Sequence, residues 1–412
     1  MLKNYFKTAF KVFLRRKFFT FISLFAISFT LVVLMVATAI IDHVFGEMPP
    51  EKNLDRRLGV YEMQIRGEHG SMNGLAGYRF LDRYCRDLPF VEKQTFFTGP
   101  GQVVTYKGDE KIKLFLRRTD GEFWQMMDFQ FLEGAAFTEV DEKNRNFVAV
   151  INEATRKKFF GNDSAVGKTI DIDGQNFRVV GVVSNVPTLR IIPFSDIWVP
   201  ISTAKTDAYK KEFVGNFMGL FLARNVADIP AIKEEFNSRL TQVEIPDKQF
   251  NQAVSAICTF PEGVARFFSP GPSEDATPAR LIIGITIAAL LFMLLPTINL
   301  ININISRIME RASEIGVRKA FGASSLTLVG QFIIENILLT LIGGVIGFVG
   351  SYFVLHLISQ SNLIPYAEFQ MNFRIFLYGL ALAVCFGLLS GVYPAWKMSR
   401  LHPVQALTGG VR

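Results

Sequence analysis

Four long apolar stretches divide the 412-residue chain, and a segment of mixed polar and apolar pattern separates the first stretch from the other three. The four stretches are residues 18–41, 281–305, 324–358 and 375–396. Each is long enough for an α-helix to cross the hydrocarbon core of a bilayer, which takes roughly 20 residues. Only the third contains charged or histidine side chains, Glu335 and His356. We therefore predict an α-helical membrane protein with four transmembrane helices.

Residues 42–280 are long enough for a large folded domain, and their pattern mixes helix and strand. Residues 169–173 alternate apolar and polar side chains as a strand does, a Gly–Gln turn follows, and residues 177–183 form a second strand. Residues 229–240 have helical spacing, with a proline in the first turn. Pro, Gly and Ser are frequent in residues 261–278, which we expect to be a linker. The sequence thus predicts a mixed α/β domain between the first and second apolar stretches.

Lysine and arginine are concentrated beside the apolar stretches. Residues 1–17 contain six of them and residues 397–412 contain three, with no acidic residue in either segment. Short segments rich in Lys and Arg tend to stay in the cytosol. We therefore expect both termini and the basic segment 306–323 to be cytosolic, and residues 42–280 and 359–374 to lie on the other side of the membrane.

The positive charge of the chain, +7 at pH 7, also belongs to these edges. The segment 42–280 holds 33 of the 37 acidic residues but 30 of the 44 Lys and Arg residues, so it is net acidic. This distribution argues against nucleic acid as a partner, although the chain as a whole is basic. The basic edges instead suit anionic headgroups, and we expect membrane lipids as partners.

A glycine-containing segment at residues 161–169 resembles a phosphate-binding loop but does not fit the motif. Five residues separate Gly161 from Gly167, whereas the motif requires four. A phosphate loop also follows a strand and opens a helix, while residues 153–160 predict a helix before this segment. We interpret the segment as a structural turn and expect no ATP or other cofactor on this chain.

Patterns of catalytic or metal-binding residues are lacking in the sequence. The four histidines are scattered, and no HExxH, GxSxG or CxxC motif occurs. We therefore expect a subunit that is not an enzyme, with no catalytic residue and no metal site. Cys85 and Cys258 both lie in the domain predicted to be exported, where a disulfide can form. The sequence leaves a disulfide and two free thiols open.

A short charged segment, residues 306–323, connects the second and third apolar stretches. Glu314 and Arg318 are four residues apart in the order that favours an ion pair on a helix, and Ile308 and Ile315 belong to a narrow apolar stripe. We interpret the segment as an amphipathic helix that docks on a cytosolic protein; a helix that only anchors in the headgroups is the alternative. The predicted docking residues are Arg307, Glu310, Arg311, Glu314, Ile315, Gly316, Arg318, Lys319 and Gly322.

Glycines recur at helical spacing in the last two apolar stretches. The pairs with small-xxx-small spacing are Gly343–Gly347 and Gly387–Gly391. This spacing lets helix backbones approach closely in lipid, but it does not decide between packing within one subunit and packing across a dimer. Glu335 in the third stretch is a candidate functional carboxylate, and a structural hydrogen bond near Gln331 is the alternative.

These motifs together resemble those of the MacB/FtsX/LolC-type ABC transporter permease family. The charged segment ends in EIGVRKAFGA at residues 314–323, and the chain closes with GVYPA at residues 391–395 and PVQAL at residues 403–407. Residues 148–186 are similar to the periplasmic core domain of the family. The resemblance covers nearly the whole chain.

The resemblance implies the MacB-like (type VII ABC) architecture at a bacterial inner membrane: one membrane helix, a large periplasmic domain and three further helices. It also implies a dimer with a second permease, identical or homologous, and a cytosolic ABC ATPase that binds ATP and Mg²⁺. The segment 306–323 then resembles the coupling helix that sits in a groove of the ATPase. In that family, closure of the ATPases moves the membrane helices, and a stalk relays the motion to the periplasmic domains, which is called mechanotransmission.

The macrolide-exporting members carry their ATPase before the first membrane helix, whereas the first predicted span begins here at residue 18. We therefore expect the ATPase to be a separate polypeptide. The resemblance suggests efflux of antimicrobials or peptides, or release of lipoproteins. The alternative is an FtsX-like transducer that regulates an envelope hydrolase or sensor without transporting cargo. Efflux would add a periplasmic adaptor and an outer-membrane duct as partners.

Overall fold

The computed structural model describes residues 2–15, 17–267, 278–309, 317, 321, 325–361, 363–369 and 371–399. The chain forms two compact units. We call residues 1–42, 281–363 and 368–412 the helical unit, and residues 43–280 and 364–367 the β-rich unit. The loop predicted at residues 359–374 is thus not a simple connection, because its middle belongs to the β-rich unit.

The described helices include five long ones in the helical unit. In chain order the helices are α1 (Leu2–Arg15), α2 (Lys17–Phe45), α3 (Tyr78–Phe80), α4 (Glu122–Met126), α5 (Glu139–Lys143), α6 (Glu153–Phe160), α7 (Ile229–Thr241), α8 (Phe260–Phe267), α9 (Pro278–Met309), α10 (Ser325–Gln360) and α11 (Phe373–Ser399). Within the described residues, Lys17–Phe45 and Ile333–Gln360 are long and apolar enough to cross a membrane, and Pro278–Phe292 and Phe373–Cys385 are shorter apolar helices. The count of four transmembrane helices therefore stays a prediction.

The N-terminal segment forms an amphipathic helix, α1, whereas the sequence predicted only its basic charge. Apolar residues recur there three or four positions apart, which produces one apolar side on a helix. Ala9 and Phe13 are buried against Leu339 of α10, while Phe10 and Leu14 are exposed. Such a helix, basic and amphipathic, is suited to the surface of a membrane.

The β-rich unit contains one sheet of 13 strands. The strands are β1 (Arg57–Gly67), β2 (Gly70–Ala76), β3 (Val91–Thr98), β4 (Gly101–Lys107), β5 (Glu110–Thr119), β6 (Phe131–Gly134), β7 (Val148–Asn152), β8 (Thr169–Ile172), β9 (Gln175–Val183), β10 (Ile197–Pro200), β11 (Val214–Gly215), β12 (Phe217–Ala223) and β13 (Gln252–Cys258). Their order is β11-β2-β1-β12-β3-β5-β10-β7-β9-β6, with β13 beside β1, β4 beside β5 and β8 beside β9. The unit is therefore mixed α/β, as the sequence predicts.

The sheet has two lobes with separate cores. The first lobe contains β1–β3 and β11–β13, and α7 buries Ile232 and Phe236 in its core. The second lobe contains β4–β10, and Ile151 and Phe177 lie in its core. The lobes join where β3 pairs with β5 through one residue pair, Phe97 and Thr119. An aromatic cluster around Trp198 takes side chains from both lobes.

The local predictions for this unit agree with the structure except near its end. Strands β8 and β9 flank a turn at Gly174, which has a φ of +74°, and helix α6 ends at Gly161 before the segment that resembles a phosphate loop. The residues predicted to start a linker at 261 instead belong to α8. Packing explains this difference, because Ala265 is buried and Phe260 contacts the aromatic cluster.

Candidate functional site

The predicted docking segment, residues 306–323, begins within the last turn of α9, which ends at Met309. Arg307 lies in the last turn of α9, and the other eight predicted docking residues lie outside the described residues. Helix α10 begins just after the segment, at Ser325. The structure thus describes the two long helices that flank the segment.

Helix α10 approaches α2 closely at the first predicted glycine pair. A Cβ added at Gly343 would lie 2.8 Å from Cγ2 of Ile27. A Cβ added at Gly347 would lie 3.0 Å from Cβ of Leu31 and 3.2 Å from the carbonyl oxygen of Ser28. These distances are shorter than ordinary van der Waals contacts, so α2 would have to move to accept larger side chains. The first pair therefore lies in a contact within one chain.

Helix α11 contacts the same two helices through glycines outside the two predicted pairs. A Cβ added at Gly344 would lie 2.6 Å from Cδ1 of Leu380 in α11, and one at Gly379 would lie 3.0 Å from Cδ2 of Leu34 in α2. The predicted pair Gly387–Gly391 lies farther along α11, and its surroundings are outside the described residues. A glycine thus lies in each of the three helix pairs α2–α10, α10–α11 and α2–α11, as is usual for helices in lipid.

Glu335 lies in α10, one turn after Gln331, the residue near which a structural hydrogen bond is the alternative to a functional role. Nε2 of Gln331 donates a hydrogen bond to Oε1 of Glu335 at 3.1 Å, and both side chains are buried. A buried carboxylate needs such donors, because an apolar environment opposes its charge. The geometry fits a structural role at this position.

Charged residues that sequence analysis missed hold the chain where α2 ends. Arg190 donates to Oε2 of Glu51 at 2.9 Å and to the carbonyl of Gly46, the residue after α2, at 2.9 Å. Arg57 donates to the other carboxylate oxygen of Glu51. These three side chains are almost wholly buried, with at most 6% of each exposed. The Glu51 carboxylate therefore joins the start of β1 and the loop before β10 to the segment that follows α2.

The end of α2 also contacts the start of α8. The ring centroids of Phe45 and Phe260 are 5.7 Å apart, and those of Tyr61 and Phe260 are 6.3 Å apart. Helix α8 precedes α9 in the chain, so Phe45 and Phe260 belong to the two segments through which the β-rich unit continues into α2 and α9. Aromatic contacts of this kind stabilise packing by about 0.5–1.5 kcal/mol beyond area burial.

Residues 364–367, which lie between α10 and α11 in the chain, form hydrogen bonds within the β-rich unit. Oη of Tyr366 donates to Oδ1 of Asp196 at 3.1 Å. Asn152 donates to the same oxygen at 3.0 Å. The backbone amide of Thr188 donates to the carbonyl of Pro365 at 3.2 Å. Residues 364–367 are thus held by side-chain and backbone hydrogen bonds, a feature with no local sequence signal.

Within the described residues, no group of three or more His, Cys, Asp or Glu side chains could hold a metal ion. Cys85 and Cys258 are separate, buried free thiols, which is the second of the two alternatives. Burial raises the pKa of Cys258 to about 12. Since the thiolate is the reactive form of cysteine, this thiol has low reactivity at neutral pH.

Two protein-family models match the chain, one mainly over the β-rich unit and one mainly over the helical unit. The family model described as the MacB-like periplasmic core domain matches residues 20–239. The model described as the FtsX-like permease C-terminal domain matches residues 286–403. The first match alone covers more than half of the chain.

Curated relatives and a solved structure were also found. The macrolide export ATP-binding/permease protein MacB of Pasteurella multocida is 27% identical over 330 residues, covering 78% of this chain and 48% of that protein. MacB of Bdellovibrio bacteriovorus is 28% identical over 283 residues, covering 66% and 40%. The crystal structure of the periplasmic region of MacB from Actinobacillus actinomycetemcomitans has a TM-score of 0.37 and 16% identity, covering 52% of this chain and 94% of that chain. The chain spans about half the length of the curated relatives it matches.

Proposed function

The chain belongs to the MacB/FtsX-type family of ABC transporter permeases, and we propose that it couples ATP hydrolysis by a cytosolic ABC ATPase to movement of its periplasmic domain. The protein is an inner membrane protein, and the β-rich unit contains its periplasmic domain. In the proposal, α2, α9, α10 and α11 all cross the membrane, and both termini and residues 306–323 are cytosolic. ATP and Mg²⁺ bind to the ATPase, and two permeases form a dimer.

The observation that carries this proposal is the FtsX-like match over residues 286–403. It includes most of α9, the charged segment, α10 and α11, so the charged segment lies inside a permease domain and between two long helices. We assign Glu314 and Arg318 of this segment to the contact with the ATPase. A force that the ATPase applies to residues 306–323 would then act directly on the adjoining ends of α9 and α10.

The names of the relatives favour export as the purpose of the motion. Both are called macrolide export proteins, so we propose an antimicrobial or peptide as the cargo class. Export from the periplasm would require an adaptor and an outer-membrane duct. Co-purification of an envelope hydrolase or a sensor kinase in place of these partners would instead indicate a transducer.

The coupling role is tested with charge reversals in the full-length chain. Glu314→Lys and Arg318→Glu are expected to reduce co-purification of the ABC ATPase at least tenfold and to leave thermal unfolding unchanged. Glu110→Lys is the matched control, because Glu110 is an exposed charge in the β-rich unit. If both reversals retain the ATPase at wild-type levels, residues 306–323 are not the docking segment.

A further inference from the structure

We propose that residues 364–367 form a mechanical tether through which movement of α10 and α11 reaches the β-rich unit, with Tyr366 as the residue that positions it. The proposal rests on the proposed function, because it concerns the route by which ATP-driven motion would reach the periplasmic domain. It assigns a task to a loop that would otherwise only connect two helices.

Short connections join the tether to the two helices on either side of it. Helix α10 ends at Gln360 and α11 begins at Phe373. Residues 361–363 and 368–372 therefore connect the tether to these helices. An extended chain spans at most about 3.6 Å per residue step, so the four steps from Gln360 to Ile364 and the six from Ala367 to Phe373 reach at most about 14 Å and about 22 Å. A helix end that moves farther from the tether than this reach must pull on the tether or break its contacts.

The tether is bound to a residue that holds several strands together. Besides the hydrogen bond from Tyr366, Asp196 accepts one from the side chain of Asn152, the last residue of β7. Its second carboxylate oxygen accepts the backbone N–H of Phe115 in β5 at 2.8 Å. Asp196 itself directly precedes β10 and is 5% exposed. A pull on Tyr366 is therefore applied to β5, β7 and β10 of the second lobe together.

The tether is also packed, which distinguishes it from an exposed loop. The ring of Tyr366 packs against the aromatic cluster around Trp198, and Ala367 is 3% exposed. Tyr366 has a φ of +62°. This value lies in the left-handed region, which residues other than glycine, asparagine and aspartate rarely adopt. A tyrosine keeps this conformation only where surrounding contacts hold it. The hydrogen bond and the packing of Tyr366 supply those contacts.

The tether is tested in the full-length chain, reconstituted in nanodiscs with the ABC ATPase that co-purifies with it. Hydrogen exchange of residues 194–200 is measured without nucleotide and after trapping with ATP and vanadate. In the wild type, exchange of this segment is expected to change several-fold on trapping. In Tyr366→Ala the change is lost while ATP hydrolysis continues. Tyr106→Phe is the control, because it removes a tyrosine hydroxyl at an exposed position of β4.

A second experiment uses an engineered disulfide to distinguish loss of the tether from a folding defect. Residues 188 and 365 are joined by a backbone hydrogen bond, so Thr188→Cys and Pro365→Cys place two thiols on opposite sides of the contact. In the Tyr366→Ala background, the oxidised double-cysteine protein is expected to regain the nucleotide-dependent exchange. Reduction is expected to abolish it again.

The outcomes distinguish failure of the tether from failure of the proposed function. The tether is overturned if the wild type shows no nucleotide-dependent exchange at residues 194–200, if Tyr366→Ala retains it, or if the disulfide forms without restoring it. In each of these cases the ATPase still co-purifies, so the assignment of this chain as the permease partner of an ABC ATPase stands and only the route through residues 364–367 fails. If no ABC ATPase co-purifies with the wild type, the proposed function fails and the tether fails with it.

Discussion

Nη1 of Arg190 lies 2.9 Å from Oε2 of Glu51, and the two residues are 139 positions apart in the chain. Nη2 of the same guanidinium holds the carbonyl of Gly46, so this ion pair fixes the chain at the point where α2 ends. Arg57 shares the Glu51 carboxylate. The buried guanidinium groups of Arg57 and Arg190 thus share a single counter-charge, the Glu51 carboxylate.

Glu51→Gln is expected to destabilise the β-rich unit strongly. The amide leaves Arg57 and Arg190 buried without a counter-charge, and breaking a buried pair in this way costs about 3–5 kcal/mol. Urea unfolding of the full-length chain in detergent measures the loss. Glu92→Gln is the control, because Glu92 pairs with Arg56 at an exposed site, where an ion pair is worth about 0–1 kcal/mol. Equal losses in the two variants would contradict this prediction.

Gly347→Ala is expected to weaken the contact between α10 and α2. The new methyl group would lie 3.2 Å from the carbonyl oxygen of Ser28, and the backbone there cannot rotate away as a side chain can. Overpacking of this kind costs about 1–3 kcal/mol. Thermal unfolding in detergent is the measurement.

Gly330→Ala on the same helix is the matched control for Gly347→Ala. A Cβ at Gly330 would meet no described atom within 4 Å, and alanine is the better helix former by about 1 kcal/mol. Gly330→Ala is therefore expected to be neutral or stabilising. If the two variants unfold at the same temperature, α10 does not approach α2 as described.

The stability of the β-rich unit is expected to depend on the protonation of Glu142. Oε1 of Glu142 accepts the backbone N–H of Ser202 at 2.9 Å, and burial raises the pKa of this carboxyl to about 7. The folded state therefore binds the proton more tightly than the unfolded chain does. The stabilisation is fully present below the unfolded pKa, about 4.3, and is lost as the pH rises through about 7.

Glu142→Gln removes this pH dependence and keeps an acceptor for Ser202. At pH 8 the variant is expected to be more stable than the wild type by about 1–2 kcal/mol, a value reduced for partial exposure of the carboxyl. At pH 4.5 the two proteins are expected to differ little. Denaturant unfolding at both pH values checks this, and a pH-independent difference would show that Glu142 is not the titrating group.

Arg117→Lys is expected to destabilise the second lobe by about 2–3 kcal/mol. The guanidinium of Arg117 is fully buried and donates to the carbonyls of Thr98, Ile191 and Phe194. A lysine ammonium lacks the planar fork that reaches all three. Urea unfolding is the measurement, and Arg118→Lys is the neighbouring control, since Arg118 donates to the Thr203 hydroxyl and should lose less. A loss no larger than that of Arg118→Lys would contradict the role of the fork.

The periodicity of apolar and polar residues correctly predicted the helices and strands that depend mainly on local sequence. The alternation at residues 169–173 and 177–183 led to β8 and β9, and the spacing at residues 229–240 led to α7. Composition was a weaker guide at residues 261–267, where proline and glycine suggested a linker but packing of Phe260 and Ala265 forms α8.

Contacts between distant residues could not be predicted from the sequence. The glycine spacing indicated that α10 approaches a neighbour, but it did not identify α2 as that neighbour. Tyr366 and Asp196 are 170 positions apart, and neither residue type reveals its partner. Charge and hydrogen-bonding capacity show that a residue needs a partner when it is buried, and the fold alone decides which partner it has.

Backbone pairing is sparse where the two lobes of the sheet meet. Within the described strands, β3 and β5 are paired at Phe97 and Thr119 alone, whereas β3 and β12 are paired along seven positions. Rotation of one lobe against the other therefore costs few backbone hydrogen bonds, and distortion inside a lobe costs many. Side chains close this junction instead: the aromatic cluster around Trp198 contains residues of both lobes, and Arg117 of β5 donates to the carbonyl of Thr98 in β3. The relative position of the two lobes therefore depends on packing and on side-chain hydrogen bonds more than on strand pairing.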